Sequence, residues 1–406
     1  MRLNLILATM AFGVFATFSM GQPTIPVEQP ESDPGTTGSE FGRAIGVSAK
    51  RVYIGAPKFN TASRLDAGRV FMFDTVTMLP LGAINSAPGA GAYLGSSLSA
   101  SKTVALAGAP GLKVGSVFNA GGVLVYTEKL DSVTTISNPE PASGDKFGAA
   151  VAAGTKLYVI GAPGDFGAPG QQGGSAFVVP RTTLVPQRLP LPPDYASGDS
   201  VGHAVAVSSK FIAVGAFEKN RGSMLYSGAV HIYDAKTLAY NSTVLDPDFL
   251  EGSGGSRFGS AVSFSGKYLF VGAQSQNFGF PTPAFQSGAG AIYQYDTKTW
   301  TLLRRIDSHV PSSFANFGAE LGVDKKRLYI CAPTYDHAGN ADGKVEVVDQ
   351  KTGAFVNELF SPVPVSAGFL GSSIGVLKRN RFISGARGEL GSSGQGTGRA
   401  YLHLVP

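Results

Sequence analysis

The sequence predicts an all-β fold, a seven-bladed β-propeller of four-stranded antiparallel blades, and three observations support this prediction. The 406 residues include 54 glycines and only 15% charged residues, a composition that suits short strands joined by tight turns. A motif of about 53 residues returns seven times. Each copy contains segments with a hydrophobic period of two, the period of a strand. Repeats that stack in this way form one continuous body.

Three landmarks define each copy. The first is an apolar residue followed by glycine: Phe41-Gly42, Leu94-Gly95, Phe147-Gly148, Val201-Gly202, Phe258-Gly259, Phe317-Gly318 and Leu370-Gly371. Successive copies therefore begin 53, 53, 54, 57, 59 and 53 residues apart. The second landmark follows 14 residues later in six copies and 15 later in the seventh: Gly55, Gly108, Gly161, Gly215, Gly272, Cys331 and Gly385. The third is a glycine directly before an alternating segment such as AVHIYD at 229–234.

These landmarks predict four strands in order. After the first landmark, small and apolar residues alternate, as in AAVAAG at 149–154, which suits an inner strand where blades converge and backbones crowd. A four-residue polar turn leads to an apolar second strand that ends at Gly-Ala-Pro, because proline cannot donate a ladder hydrogen bond. A third strand follows a loop, and a weaker fourth strand, such as WTLLRRI at 300–306, completes the blade. The apolar residue of the first landmark is expected to fill the gap between blades.

The seventh copy raises the question of ring closure. It ends with its third strand, RAYLHLVP at 399–406, and therefore lacks a fourth strand. Closed propellers avoid an unpaired edge. The spare segment before the first landmark is PTIPVEQP at 23–30. We expect Thr24–Val27 to supply the outer strand of blade seven.

The repeated landmarks resemble the FG-GAP repeat of integrin α-subunits and related secreted or surface propellers, from Phe41 to the C-terminus. The resemblance implies the propeller fold; such propellers serve adhesion and scaffolding, and occasionally they sit beside enzymes. Several integrin repeats carry an acidic calcium loop between the first two landmarks. Here a four-residue turn such as Ser48–Arg51 or Asp324–Arg327 stands in its place, with too few oxygens for the six to eight ligands of calcium. We therefore expect neither calcium nor any other cofactor.

The first residues predict export. Arg2 precedes an apolar run from Leu3 to Phe18, the pattern of a secretory signal peptide over residues 1–21. An uncleaved anchor helix is the alternative, but the run is shorter than the ~20 residues of a membrane span. We expect an N-terminal segment at 22–40, the propeller at 41–406, no membrane span, and a secreted or cell-surface location. The sequon at Asn241 would be glycosylated in a eukaryotic secretory route.

Charge and cysteine content bear on other classes of function. The formal net charge of +5 is modest, and lysine and arginine are scattered along the chain, so we expect no nucleic-acid partner. Cys331, the single cysteine of the chain, lies in the apolar segment RLYICAP. We expect it to behave as a small buried hydrophobe and not as a catalytic or metal-binding thiol.

The loops between the second and third strands differ in every copy, whereas the turns between the first and second strands are uniformly short. Specificity is therefore expected on the loop side. Candidate ligand-binding residues in the loops of blades four to six are Phe217, Lys219, Arg221, Tyr226, Phe278, Phe280, Phe285 and Tyr335. Aromatic and arginine anchors concentrate binding energy at interfaces, although the aromatic residues could instead pack within their own loops. His203 either faces the central channel or is structural.

One loop of the sixth copy is a metal candidate. The segment YDHAGNADG at 335–343 brings together Asp336, His337, Asn340 and Asp342. Oxygen-rich loops of this kind can hold a cation. The same residues also favour turns without any metal, and we expect no metal site.

The sequence shows no Ser-His-Asp set, phosphate-binding loop or paired-carboxylate site. It therefore favours a binding or adhesion module for an extracellular protein or glycan over an enzyme. The alternatives are an extracellular hydrolase or lyase with its site at the channel mouth, and a structural surface-coat component. A cluster of carboxylates or histidines at that mouth would favour the enzyme. The oligomeric state is left open.

Overall fold

The computed structural model describes residues 24–30, 38–84, 89–127, 133–249, 255–279, 285–337, 341–391 and 397–405. The expected signal peptide at residues 1–21 lies outside these ranges. Within them the regular elements are strands, and none of the described segments is a helix long and apolar enough to cross a bilayer.

The described residues form 28 strands in seven four-stranded sheets, and each sheet is one blade. The inner strands are β2 (Ile45–Val47), β6 (Ser97–Ala100), β10 (Ala150–Ala153), β14 (Val201–Val207), β18 (Phe258–Ser265), β22 (Glu320–Val323) and β26 (Leu370–Val376). The second strands are β3 (Arg51–Ala56), β7 (Val104–Ala109), β11 (Leu157–Ala162), β15 (Phe211–Ala216), β19 (Tyr268–Ala273), β23 (Arg327–Ala332) and β27 (Arg381–Ala386). The third strands are β4 (Arg69–Asp74), β8 (Gly122–Thr127), β12 (Ser175–Pro180), β16 (Ala229–Asp234), β20 (Ala291–Asp296), β24 (Lys344–Asp349) and β28 (Arg399–Leu404). The outer strands are β5 (Pro80–Ile84), β9 (Val133–Ser137), β13 (Gln187–Arg188), β17 (Tyr240–Leu245), β21 (Leu302–Ile306), β25 (Phe355–Phe360) and, for blade seven, β1 (Thr24–Val27).

The seven blades form a closed ring, which confirms the predicted fold. Successive strands of a blade pair antiparallel, as where Ala150 lies opposite Gly161 and Leu157 opposite Pro180 in blade three. Each inner strand contacts the inner strands of its two neighbouring blades, and β2 contacts β26.

Blade seven takes its outer strand from the N-terminal segment, where the sequence places it. Strand β1 pairs antiparallel with β28, with Thr24 opposite His403 and Val27 opposite Ala400. Beside this ladder Arg399 Nη2 lies 3.0 Å from Glu28 Oε1. Blade seven therefore combines the N-terminal strand β1 with the three strands of the last repeat.

The first two landmarks meet across the seam between neighbouring blades. A Cβ added to Gly55 of blade one would lie 2.1 Å from the carbonyl oxygen of Gly95 of blade two. Gly95 itself has a φ of 90°, which favours glycine. The same contact recurs wherever the second landmark is a glycine. The spacing of the two landmarks is therefore fixed by the fit of one blade against the next.

The hydrophobic core is divided among these seams. The apolar residues of the first landmark fill the gaps as expected, since all are at most 2% exposed: Phe41, Leu94, Phe147, Val201, Phe258, Phe317 and Leu370. At the seam of blades seven and one, Phe41 packs in one cluster with Ile54 and Ile383. Cys331 is fully buried in the cluster between blades six and seven, as expected for a small hydrophobe.

Candidate ligand-binding face

The two ends of the propeller differ in the length of their connections. One end, which we name the turn face, carries the connections between first and second strands: 48–50, 101–103, 154–156, 208–210, 266–267, 324–326 and 377–380. The other end, the loop face, carries the connections between second and third strands: 57–68, 110–121, 163–174, 217–228, 274–290, 333–343 and 387–398. Long and variable segments therefore gather on the loop face.

The central channel opens on the loop face into a cavity of about 280 Å³. The first residues of the inner strands line it, and most of the described lining residues are alanine, serine or aliphatic. The titratable lining residues among them are Arg43 of blade one, His203 of blade four and Glu320 of blade six. Since three separate blades supply these groups, they are spread around the cavity.

Glu320 is exceptional among the lining residues. The other six copies have alanine or serine at its place: Ala44, Ser97, Ala150, Ala204, Ala261 and Ser373. Desolvation by the surrounding strands raises the pKa of Glu320 to about 7, although the side chain is exposed to the channel, and the charge of Arg43 opposes this rise. A carboxyl group that titrates near neutral pH inside a cavity is typical of functional sites.

A row of stacked side chains runs outward from the channel mouth. His203 stacks on Phe217 with ring centroids 3.8 Å apart and planes inclined by 27°. The guanidinium of Arg257 lies 5.8 Å from the Phe217 ring centroid and 5.7 Å from that of Tyr226. Tyr226, at the outer end, is 44% exposed. We name these four residues the stacked row.

The surroundings of His203 favour its neutral form, although the side chain is exposed at the channel. Desolvation lowers its pKa to about 4, Glu218 opposes the shift, and the charges of Arg43 and Arg257 add to it. The Glu218 carboxylate is held by a hydrogen bond of 2.6 Å from Ser200 Oγ. The neutral imidazole therefore acts as a flat ring against Phe217.

Arg257 reaches the row because of a backbone feature that sequence reasoning missed. The residue before each first landmark has a left-handed φ of 54–58°: Glu40, Tyr93, Lys146, Ser200, Arg257, Asn316 and Phe369. Several of these residues bind the long loop of their own blade, as Glu40 does with Lys58 at 2.7 Å and Asn316 with Thr334 at 2.7 Å. Their chemistry differs from blade to blade, and their fixed place before the landmark was the available signal.

Two of the predicted ligand-binding residues do not reach the surface, which corrects the expectation that they belong to an exposed patch. Lys219 is 7% exposed, and its Nζ lies 3.0 Å from Asp199 Oδ2 and 3.3 Å from Asp194 Oδ2. Tyr335 is 8% exposed beneath the ammonium group of Lys344, which lies 4.2 Å from its ring centroid. Lys219 turns inward because the buried carboxylate of Asp199 and the exposed carboxylate of Asp194 both bind it.

The other predicted residues remain at the loop face. Arg221 is exposed and held against the ring of Phe249, 4.3 Å from its centroid. Phe285 is 40% exposed, Phe278 is half-buried, and Phe280 lies outside the described residues. A cavity of about 200 Å³ adjoins these loops, bordered by Phe314, which is 69% exposed and was not predicted.

The candidate metal loop has its carboxylates in different surroundings. Asp336 is exposed, Asp342 is fully buried, and Asn340 lies outside the described residues. His337 stacks on Phe360 at 4.5 Å, with its Nδ1 3.7 Å from Asp342 Oδ2. Across the described ranges, no three His, Cys, Asp or Glu side chains are grouped to hold a metal ion. The sequon residue Asn241 is exposed on β17.

Comparison with known proteins adds one finding to this geometry. The model of the FG-GAP repeat matches residues 131–179 and 190–233, which cover strands β9 to β12 and β14 to β16 except the last residue of β12 and of β16. No curated protein matches the chain.

Proposed function

This chain is an FG-GAP repeat propeller, and from that premise we propose that it is a secreted or cell-surface binding module. Its ligand is an extracellular protein or glycan held on the loop face. Because propellers of one fold serve many purposes, the site and not the fold must carry the proposal.

The stacked row is the observation that carries it. Tyr226 and Phe217 offer ring faces, and Arg257 between them offers a planar cation with several donors. Such groups recur as anchors in protein interfaces, and aromatic side chains bury large areas at low conformational cost. The row also begins at a cavity, where a ligand group can be enclosed.

The scaffold keeps this row in place before any ligand arrives. His203 belongs to inner strand β14, and Arg257 immediately precedes inner strand β18. Phe217 directly follows β15. Because three of the four residues stand at or beside strand ends of a closed ring, with Tyr226 in the loop between β15 and β16, little ordering is needed on binding, which favours affinity.

The proposal is tested by screening the purified chain on a glycan array and against extracellular proteins, and then measuring affinity for each hit. Tyr226→Ala and Arg257→Ala should each weaken binding by about thirtyfold. The matched control is Phe118→Ala in blade two, which removes another exposed aromatic of the loop face, one covered by Lys113 at 4.5 Å. Equal losses in all three variants would contradict a role for the stacked row.

Glu320 supports a second candidate, an extracellular hydrolase or lyase. A carboxyl group with a pKa of about 7 can exchange protons with a substrate at neutral pH. If the chain is such an enzyme, Glu320→Gln should abolish turnover while ligand binding through Tyr226 persists. A binding module without catalysis would show no turnover in either form.

A further inference from the structure

The turn face gathers positive charge from every blade. Each of its seven turns carries at least one exposed lysine, and we name this set the lysine ring: Lys50, Lys102, Lys156, Lys210, Lys267, Lys325, Lys326 and Lys378. These lysines look scattered because most of the chain distance of a repeat separates one turn from the next. In three dimensions these lysines lie together, since the repeat returns each turn to the same end of the propeller.

The positive charge of the ring is not neutralised by ion pairs. The lysines that form ion pairs in the described chain are Lys58, Lys219 and Lys344, and none of them lies on the turn face. The connections between third and fourth strands add exposed lysines to the same end: Lys236, Lys298 and Lys351.

The aspartates described at this end accept hydrogen bonds from the backbone of their own turns: Asp74, Asp234, Asp296, Asp324 and Asp349. Asp324 lies in one of the seven turns, and its Oδ2 also accepts a hydrogen bond from the hydroxyl of Tyr329. Asp74 Oδ1 accepts hydrogen bonds from the N–H groups of Val76 and Thr77 at 2.8 and 2.9 Å. Asp234 and Asp349 do the same in their own turns. Exposed lysines outnumber the described aspartates at this end, so the turn face carries a net positive charge.

The ring is broad and shallow. Its turns contain between two residues, as in 266–267, and four, as in 377–380, so no turn projects far beyond the others. At the channel end it borders a cavity of about 610 Å³, flanked by Lys102, Lys378 and Arg379. The positive groups therefore surround the opening in a layer and do not form a single groove.

We propose that the turn face docks onto a layer of anionic lipid headgroups without entering the hydrocarbon region. A planar layer can meet lysines from all seven blades at once, whereas a linear polyanion reaches only the turns along its path. Each lysine near an anionic membrane surface raises the affinity by about fivefold at low salt, and the attraction fades within about 8 Å at physiological ionic strength. Docking in this orientation points the loop face away from the membrane.

Sedimentation with lipid vesicles tests the proposal on the full mature chain. Vesicles of phosphatidylcholine with 30% phosphatidylglycerol are compared with pure phosphatidylcholine, at about 30 and 300 mM salt. The ring variant is Lys210→Gln with Lys267→Gln. The control is Lys113→Gln with Lys146→Gln, which removes the same charge from two exposed lysines of the loop side. Circular dichroism verifies that both variants fold.

We expect binding to the anionic vesicles alone, lost at high salt, and weakened about 25-fold in the ring variant but less than twofold in the control. The pair Lys50→Gln and Lys325→Gln should weaken binding as much, because a planar surface contacts every turn. Absence of binding at low salt would overturn the proposal, as would equal losses in ring and control variants. Tight, ring-dependent binding of heparin without vesicle binding would show that the partner is a soluble polyanion and would also overturn it.

Discussion

The loop face and the turn face belong to the same seven repeats, yet one varies from blade to blade and the other repeats. On the turn face each blade presents a short turn with a lysine. On the loop face the residue before the first landmark changes from Glu40 to Tyr93 to Arg257 along the ring. The comparison teaches that a repeat constrains the chain where strands connect tightly and leaves it free to vary where loops are long. This difference supports the two proposals, that selective contacts lie on the loop face and that electrostatic attraction acts at the turn face.

Opening the ring at β1 should disrupt both faces together. It is the change from which we expect the largest loss in the free energy of unfolding. Val27 of β1 is 4% exposed in the cluster between blades seven and one, so Val27→Asp places a carboxylate in that core. We expect a loss of about 4 kcal/mol in the free energy of unfolding, measured by urea titration. The control is Ile25→Asp on the same strand, where the side chain is 50% exposed; it should cost less than about 1 kcal/mol. Similar losses in both variants would show that β1 does not seal the ring.

Disturbing one seam should affect the loop face more locally. A Cβ at Gly215 would lie 2.1 Å from the carbonyl oxygen of Gly259, directly beneath the stacked row. Gly215→Ala should therefore cost about 3 kcal/mol and move Phe217 away from Arg257. Gly89→Ala, where no atom lies within 4 Å, is the control and should be neutral. Thermal unfolding of both variants decides, and an unchanged midpoint for Gly215→Ala would contradict the seam contact.

Two lysines of blade four make the comparison of the faces direct. Lys219→Ala on the loop face leaves Asp199, which is 2% exposed, without its cation. Burial already raises the pKa of Asp199, and Lys219 opposes this rise. We expect Lys219→Ala to lower the free energy of unfolding by about 2 kcal/mol. This is less than for a fully buried ion pair, because Asp194, the second partner of Lys219, is exposed. Lys210→Ala on the turn face should cost less than about 0.5 kcal/mol. Equal losses for Lys219→Ala and Lys210→Ala in chemical denaturation would contradict the burial of Lys219.

The protonation of Glu320, in the channel on the loop side, should make the stability of the protein depend on pH, with a smaller effect than the changes above. Its folded pKa of about 7 exceeds the ordinary value of 4.5, so the unfolded chain releases this proton first as the pH rises. The stabilising contribution of protonated Glu320 to the wild type is therefore lost as the pH rises from about 4.5 to 7. Glu320→Gln removes that loss, and its melting midpoint should equal that of the wild type at pH 4 and exceed it by about 1–2 °C at pH 8, since channel solvent screens the charge. A difference between Glu320→Gln and the wild type that stays constant from about pH 4 to pH 8 would contradict the shifted pKa.

Removing metal ions should have no effect. Asp324 is the one acidic residue in the seven turns of the turn face, which is too few oxygen ligands for calcium, so EDTA is expected to leave the melting midpoint unchanged. A fall of several degrees that disappears in Asp342→Asn would identify the loop at 335–343 as a metal site.

The fold could be predicted from sequence because its physical cause repeats. Seven copies of an apolar-glycine pair at fixed offset from a second glycine encode the contact between neighbouring blades, as between Gly55 and Gly95. The outer strands were less predictable, because their edges are exposed and their sequences are less constrained. Strand β13 has only two residues, Gln187–Arg188, where prolines surround it.

The candidate site could be predicted only in part. Phe217 and Tyr226 stand out in sequence as aromatic residues of long loops, and they do lie in the stacked row. The same reasoning misplaced Lys219, because the buried partner Asp199 lies 20 residues away and becomes a neighbour only through the fold. Arg257 and the lysine ring were missed for the same reason, since their grouping depends on how separate repeats align around the axis.

Cys331 stands where six copies have the glycine of the second landmark, and its reactivity can report on transient opening of the ring. The thiol is the only one in the chain, and it lies fully buried at the seam between blades six and seven. Burial raises its pKa well above the ordinary value, which further suppresses its reactivity in the closed ring. Alkylation must therefore wait until those two blades separate, and its rate measures how often the ring opens there. If ligand binding on the loop face holds blades together, the labelling of Cys331 should slow in proportion, so that occupancy could be followed from a seam that touches no ligand.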